Sequence, residues 1–180
     1  TTDIGIELGF FNNDLTLSLD YFVKKNVDLL AQIDLNLSSG QIFEINSSRE
    51  KPYVNTASVK NTGWEFMMNY RKQLTKDIHI DATFNIATLK NKVLSLGENV
   101  QPITSGAMSS YFNDAASITM PGEAIGSFYG YKIDGFDAEG NFIFADTDKN
   151  GVVNANDKVI LGSPIPAFTY GLHINMDYKD

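Results

Sequence analysis

The sequence contains no cysteine and only two histidines among its 180 residues. Without cysteine there is no disulfide framework, no thiol catalysis and no cysteine-ligated zinc site. Basic residues are also scarce, because 14 Lys and Arg stand against 22 Asp and Glu and leave a net charge of −8. Nucleic-acid binding needs a basic face, so the composition argues against a nucleic-acid partner, and none is expected.

Long apolar runs are missing as well, and no stretch of about eighteen apolar residues predicts a membrane helix. Membrane-spanning strands would give a much weaker hydropathy signal. Helical runs of Ala, Glu, Lys and Leu are absent, whereas Asn, Thr, Ser, Gly and aromatic residues are plentiful. This composition favours an all-β chain. The start on Thr1, without an initiator Met, and the end near a strand indicate a fragment of a longer protein.

Five segments alternate apolar and polar residues with a period of two, which predicts β-strands and fits no helix. Every second residue is apolar within 4–10, 15–23, 64–70, 78–86 and 168–178. Asn12-Asn13 tolerates the positive φ angles of a tight turn, so the first two strands are predicted to form an antiparallel hairpin.

The connections between these strands are of two kinds. The turns near residues 12–14 and 73–76 are short, and the connections 34–60 and 89–167 are long. Because the chain runs up and down, both short turns fall at one end of the sheet and both long loops at the other. Outer-membrane β-barrels have this asymmetry, with short periplasmic turns and long extracellular loops.

Alternation by itself also fits a soluble antiparallel sheet with one packed face. Three features favour a membrane-spanning sheet over a soluble one. Each strand is long enough to cross a bilayer, which takes roughly 9–11 tilted residues. Aromatic residues bracket the apolar face at separations of roughly 20–26 Å, close to the apolar band of roughly 25 Å between aromatic girdles. The opposite face carries carboxylates strand after strand, as a water-filled lumen allows.

Over residues 3–179 the chain resembles the C-terminal half of the barrel in the SusC/RagA family of TonB-linked outer-membrane receptors. The resemblance depends on an ordered set of motifs. They are Asp3-Ile4-Gly5-Ile6-Glu7-Leu8-Gly9-Phe10-Phe11, Leu19-Asp20-Tyr21-Phe22, Asn61-Thr62-Gly63-Trp64-Glu65-Phe66, Gly126-Ser127-Phe128-Tyr129-Gly130-Tyr131 with Asp134-Gly135, the acidic loop 146–157, Gly162-Ser163-Pro164-Ile165-Pro166 and Tyr170-Gly171-Leu172. The chain departs from the family pattern at Asp148 and Asn150, whose order is inverted, and in the short segment between Asp134-Gly135 and the acidic loop.

The resemblance implies one partial transmembrane β-barrel over residues 1–180, about five long antiparallel strands and a loop hairpin, in the bacterial outer membrane. It implies import of glycans, oligosaccharides or peptides, with a SusD-like lipoprotein and TonB as partners and outer-membrane lipid around the barrel. No cofactor is required. The alternative hypothesis is a secreted or surface calcium-dependent binding module with a β-sandwich fold.

The acidic loop has the spacing of an EF-hand calcium loop. Oxygen-bearing side chains stand at positions one, three, five, nine and twelve, Gly151 stands at six, and position seven offers a backbone carbonyl. The predicted calcium ligands are Asp146, Asp148, Asn150, Val152, Asn154 and Asp157. The alternative is an Asn-Gly turn rich in Asx hydrogen bonds that holds no ion, because Phe142-Ile143-Phe144 before the loop predicts a strand and not an entering helix.

An aromatic stretch before this loop is the second candidate site. Phe128, Tyr129 and Tyr131 are predicted to form a platform on which a sugar ring stacks. The alternative is a loop hairpin that tucks these rings against the barrel rim, with Gly130 permitting a close approach.

No pattern in the sequence supports an enzyme. His79 and His173 fall on the polar strand face, and no nucleophile elbow accompanies them. Glu7, Asp20, Glu65 and Asp81 have the residue type of a paired-carboxylate hydrolase, but a strand face in contact with water explains them more simply. The chain is therefore predicted not to be catalytic.

Overall fold

The computed structural model describes residues 1–32, 53–97, 100–107 and 115–179. Within these ranges the chain forms antiparallel strands and a short 3-10 helix at Ala155–Asp157. The strands are β1 Thr2–Phe10, β2 Leu15–Gln32, β3 Tyr53–Thr75, β4 Ile78–Thr88, β5 Lys90–Ser95, β6 Ile103–Ala107, β7 Ala115–Thr119, β8 Ser127–Tyr131, β9 Ile133–Phe136, β10 Phe142–Phe144, β11 Lys158–Gly162 and β12 Phe168–Tyr178. None of the described helices has the length and apolar character needed to span a membrane.

The five predicted strands are confirmed as β1, β2, β3, β4 and β12, which are neighbours in this order in one sheet, with β5 also paired to β3. The pairing keeps the predicted faces together, because apolar residues stand opposite apolar residues across successive strands. Ile6 pairs with Leu19, Phe66 with Ile86 and Phe84 with Leu172. One continuous apolar face results, since side chains two residues apart lie on the same side of a strand.

The predicted hairpin between β1 and β2 is confirmed. Phe11, Asn12 and Asn13 all have positive φ angles, of 57°, 60° and 69°, and the Asp14 N–H donates to the Phe11 carbonyl at 3.2 Å. Two asparagines suit this turn because a short amide side chain tolerates the left-handed region. The second short turn is tighter than predicted, since β3 continues through a bulge to Thr75, which pairs with Ile78.

The chain divides into two compact units. The first, the sheet unit, comprises residues 1–25, 60–91 and 165–179. The second, the loop unit, comprises the described residues of 26–59 and 92–164. Its core contains Ala57, Val59, Val93 and Leu96, with Leu29 and Val100 packed against them. Among the described residues, every buried apolar side chain belongs to the loop unit.

The long connection predicted at 89–167 is folded to a greater extent than the single hairpin expected from the sequence. Within it, β11, β8, β7 and β6 form a four-stranded sheet, and β9 pairs with β10. These strands are three to five residues long, too short to show a clear period in the sequence. Of the other long connection, 34–60, residues 53–60 belong to β3, and the prediction for the remainder lies outside the described residues.

Candidate functional site

Strand β8 divides the predicted aromatic platform between two faces. Tyr129 and Tyr131 stand two residues apart and share one face, whereas Phe128 points to the other. Phe128 is half exposed and lies beside Gly162 of β11. Strand alternation therefore sets Phe128 apart from the two tyrosines, and substrate binding by these residues stays a prediction.

Tyr131 instead begins a row of four aromatic rings that we call the aromatic row. The ring centroids of Tyr131 and Phe144 are 5.6 Å apart, those of Phe144 and Phe142 are 6.3 Å apart, and those of Phe142 and Phe136 are 5.4 Å apart. The three Phe side chains are 41–65% exposed. Tilted rings at these distances attract one another beyond their burial, and their open faces offer stacking surface for a sugar ring or an apolar side chain.

The three Phe residues of the aromatic row were missed as site residues in the sequence. The signal that identifies them is the alternation Phe142-Ile143-Phe144, facing Phe136 across a turn at Asp137–Asn141. The turn is held by the Asp137 carboxylate, which accepts the Glu139 N–H at 3.0 Å and the Asn141 N–H at 2.7 Å. The hydrogen bonds from Asn141 lower the pKa of Asp137 below its ordinary value.

The acidic loop brings together three of its six predicted ligands. Oxygens of Asp146, Asp148 and Asp157 lie within 4.8 Å of one another. The Asn150 amide donates to the Asp148 carboxylate, and the Asn154 amide donates to the Val152 carbonyl. These are the Asx-type hydrogen bonds of the ion-free alternative, and calcium binding stays a prediction.

Asp157 connects both ends of the acidic loop. Its side chain is fully buried, one oxygen accepts the N–H groups of Thr147 and Asp148 at 2.7 and 3.3 Å, and the other accepts the Asn154 N–H at 2.8 Å. Asn154 in turn caps the 3-10 helix in a reciprocal capping box with Asp157. The carboxylate at the twelfth loop position therefore accepts hydrogen bonds from the loop's own backbone N–H groups.

The pKa of Asp157 is lowered from its ordinary value of 3.8, chiefly by the hydrogen bond from the Asn154 N–H and further by those from Asp148 and Thr147. A lowered pKa in the folded state means that the carboxylate stabilises the loop above pH 4 and that this contribution is lost as pH falls through the folded pKa. We therefore expect residues 147–154 to lose amide protection in strong acid, measured by hydrogen exchange with correction for the intrinsic rate.

Asp157→Asn is expected to reproduce this loss at pH 7, because the carboxamide has one acceptor oxygen where the carboxylate has two. Asp134→Asn, which removes the same charge from an exposed aspartate of β9, serves as the control and should leave the loop protected. Equal protection of the loop in both variants would show that Asp157 does not hold it.

The polar face of the sheet unit contains both histidines, as predicted. His79 pairs with Asp177 and His173 with Thr83, which places the histidines at different levels of the sheet. Among the described ion pairs on this face, Arg71 binds Asp81 at 2.8 Å. The carboxylate of Asp20 accepts a hydrogen bond from Ser18 at 2.8 Å. These side chains are spread over several strands, as expected of a polar surface in contact with water.

No protein-family model matches the chain. Among curated proteins, it is 32% identical over 194 residues to TonB-dependent receptor P3 of Formosa agariphila, an alignment that covers 99% of this chain and 19% of that receptor. It is 28% identical over 194 residues to TonB-dependent receptor SusC of Bacteroides thetaiotaomicron, covering all of this chain and 18% of SusC. The predicted SusC/RagA resemblance is confirmed. This SusC/RagA-like chain thus spans about a fifth of the length of the receptors that it matches.

Solved structures agree on the fold. The SusC/RagA-like chain matches the RagAB peptide transporter with a TM-score of 0.72 and 21% identity, covering 98% of this chain and 19% of that one. It matches the open-open state of the RagAB peptide importer with a TM-score of 0.76 and the same identity, covering 98% of this chain and 18% of that one. The all-β antiparallel fold predicted from the alternation is the fold of that receptor barrel.

Proposed function

We propose that the protein carrying this chain is an outer-membrane receptor that imports a nutrient with energy supplied through TonB. The main support comes from the apolar face of the sheet unit. Among the described residues, no apolar side chain on this face is buried. The similarity to TonB-dependent receptors over 99% of the chain supports the same assignment.

The exposed apolar face is the physical argument for a bilayer. In β12 the apolar residues Tyr170, Leu172 and Ile174 are 64–71% exposed. Leaving such side chains in water forgoes on the order of 1.5–3 kcal/mol each relative to burial. Lipid chains remove this cost on one face, while the polar face with its carboxylates suits a water-filled lumen.

The alternative of a calcium-dependent β-sandwich has less support. A sandwich buries the inner faces of its two sheets against each other, whereas the apolar face of the sheet unit is exposed. The similarity to TonB-dependent receptors also favours a transporter over a secreted module.

Glycans, oligosaccharides or peptides are the proposed substrates, captured together with a SusD-like lipoprotein. The aromatic row supports this substrate class, because its exposed rings stack equally well on sugar rings and on apolar side chains of a peptide. The RagAB neighbours are a peptide transporter and importer, so peptides belong in the set of substrates to be tested.

Growth on single glycans and peptides provides the test of import. Deleting the gene is expected to abolish growth on the imported nutrient, and expression of the complete receptor should restore it only while TonB is functional. Replacing Phe136, Phe142 and Phe144 with Ser should lower uptake, whereas Val152→Ser, at a side chain that is 63% exposed in the acidic loop, should not. Undiminished growth of the deletion strain on every nutrient tested would refute import.

A further inference from the structure

The end of the sheet unit next to the long connections is basic, although the chain as a whole is acidic. The segments 22–25, 60–64, 86–91 and 165–168 contain four lysines and no carboxylate. They are Lys24, Lys25, Lys60 and Lys90. At the opposite end, two of the described basic residues form ion pairs: Lys72 binds Asp14 at 3.1 Å and Arg71 binds Asp81. The lysines near the long connections take part in none of the ion pairs formed among the described residues.

Two of these lysines lie beyond an aromatic pair on the apolar face. The rings of Tyr21 and Trp64 face each other across β2 and β3 at a centroid distance of 4.7 Å. Lys25 follows Tyr21 by four residues and Lys60 precedes Trp64 by four, so strand alternation keeps both on the face of the aromatic pair.

The same antiparallel register places Lys25 opposite Lys60. Two contacts agree with this register: the rings of Tyr21 and Trp64 meet across the strands, and the Arg71 N–H donates to the Asp14 carbonyl at 2.8 Å. Like charges directly opposite each other in a sheet are unfavourable. An anion between the two ammonium groups would remove this repulsion.

A groove of about 480 Å³ lies beside the aromatic pair. Its lining includes the aromatic residues Tyr21 and Trp64, the threonines Thr62 and Thr88, and Lys90. Lys90 is the single charged residue in this lining. The groove therefore combines aromatic surface with one positively charged residue, a combination that suits the headgroup region of an anionic lipid.

We propose that Lys25, Lys60 and Lys90, with the Tyr21–Trp64 pair, bind the phosphate group of a membrane lipid in the leaflet next to the long connections. The inference rests on the proposed membrane location. Aromatic residues settle at the boundary of a bilayer, and basic side chains just beyond it attract anionic headgroups. The aromatic pair contacts the glycerol or sugar region of the lipid, and the lysines bind its phosphate.

Native mass spectrometry of the complete receptor in detergent provides the test. The probes are a phosphatidic acid and a phosphatidylcholine with the same acyl chains. The wild-type receptor is expected to retain phosphatidic acid in preference to phosphatidylcholine. The triple variant Lys25→Ser, Lys60→Ser, Lys90→Ser should lose this preference, by about fivefold for each lysine and roughly a hundredfold for all three. The matching Lys→Arg variant should keep it.

The control removes three lysines from the opposite end, with Lys72→Ser, Lys76→Ser and Lys179→Ser, and should keep most of the preference. Equal losses in both triple variants, or no loss in either, would overturn the lipid site. So would competition by inorganic phosphate at the lipid's own concentration, because that result would indicate a site for the free ion. Carbonate extraction of the wild-type receptor from membranes would count against the proposed membrane function itself, independently of any lipid preference.

Discussion

Leu172→Arg is expected to destabilise the receptor in a lipid bilayer by about 2–4 kcal/mol, the cost of an arginine on the lipid face of a barrel near its midplane. Leu172 lies in the middle of β12, pairs with Phe84 and is 66% exposed. In the proposed barrel this exposed surface contacts lipid chains. A guanidinium group placed there loses its water without gaining a partner.

His173→Arg is the matched control, because His173 is the next residue of the same strand and points to the opposite face. It pairs with Thr83 within the polar surface. An arginine on a water-filled lumen face keeps its hydration, so an effect within about 0.5 kcal/mol is expected.

Urea unfolding of the complete receptor in lipid vesicles measures both effects. Comparison of Leu172→Arg with His173→Arg in the same vesicles separates a cost specific to the lipid face from a general folding defect. If the two variants lost the same stability in vesicles, β12 would not present one face to lipid and the membrane assignment of the sheet unit would be wrong.

Gly63→Val is expected to produce the second large effect, a loss of about 1–3 kcal/mol from overpacking or a failure to fold. Gly63 lies in β3 and is buried, although the sheet unit has no buried apolar residue among those described. A Cβ atom on Gly63 would collide with the Thr88 carbonyl oxygen and with the Phe22 ring. The carbonyl belongs to the backbone, and the Trp64 N–H donates to the Thr88 hydroxyl at 2.9 Å, so this neighbour cannot move freely.

Gly135→Val provides the control. Gly135 also lies in a strand, β9, where it pairs with Ile143, but a Cβ atom there would have no neighbour within 4 Å. Valine is favourable in strands, so this variant should retain or slightly increase stability. The stability of both variants is measured on a gel, as the fraction of receptor that keeps the mobility of the folded, heat-resistant form. Wild-type behaviour of Gly63→Val would show that the sheet relaxes at this point and that the close approach is not required.

The candidate site shows where local patterns cease to be informative. The motif containing Gly63 was recognised in the sequence, but the reason for the glycine is its contact with β2 and β4, which are distant in sequence. The three rings of 128–131 were predicted to act together, yet period-two alternation separates Phe128 from the tyrosines. The row that includes Tyr131 needs Phe136, Phe142 and Phe144, which only the pairing of β9 with β10 brings together.

The acidic loop illustrates the same limit for charge. Spacing drew attention to the carboxylates of this loop, and Asp146, Asp148 and Asp157 converge in the structure. Spacing did not indicate that Asp157 would be buried and occupied by backbone amides from both ends of the loop. A carboxylate's partners depend on the path of the chain around it, which residue identity alone does not specify.

The sequence by itself determined the long strands, their apolar and polar faces, the Asn12-Asn13 hairpin and the family resemblance. These features arise from period-two alternation and from local φ preferences, which are written residue by residue along the chain. Tertiary structure alone decided the sheets within the long connection, the aromatic row, the buried role of Asp157 and the register that sets Lys25 opposite Lys60. Each of these depends on which strands pair and in what register, and pairing is set by contacts between residues far apart in the sequence.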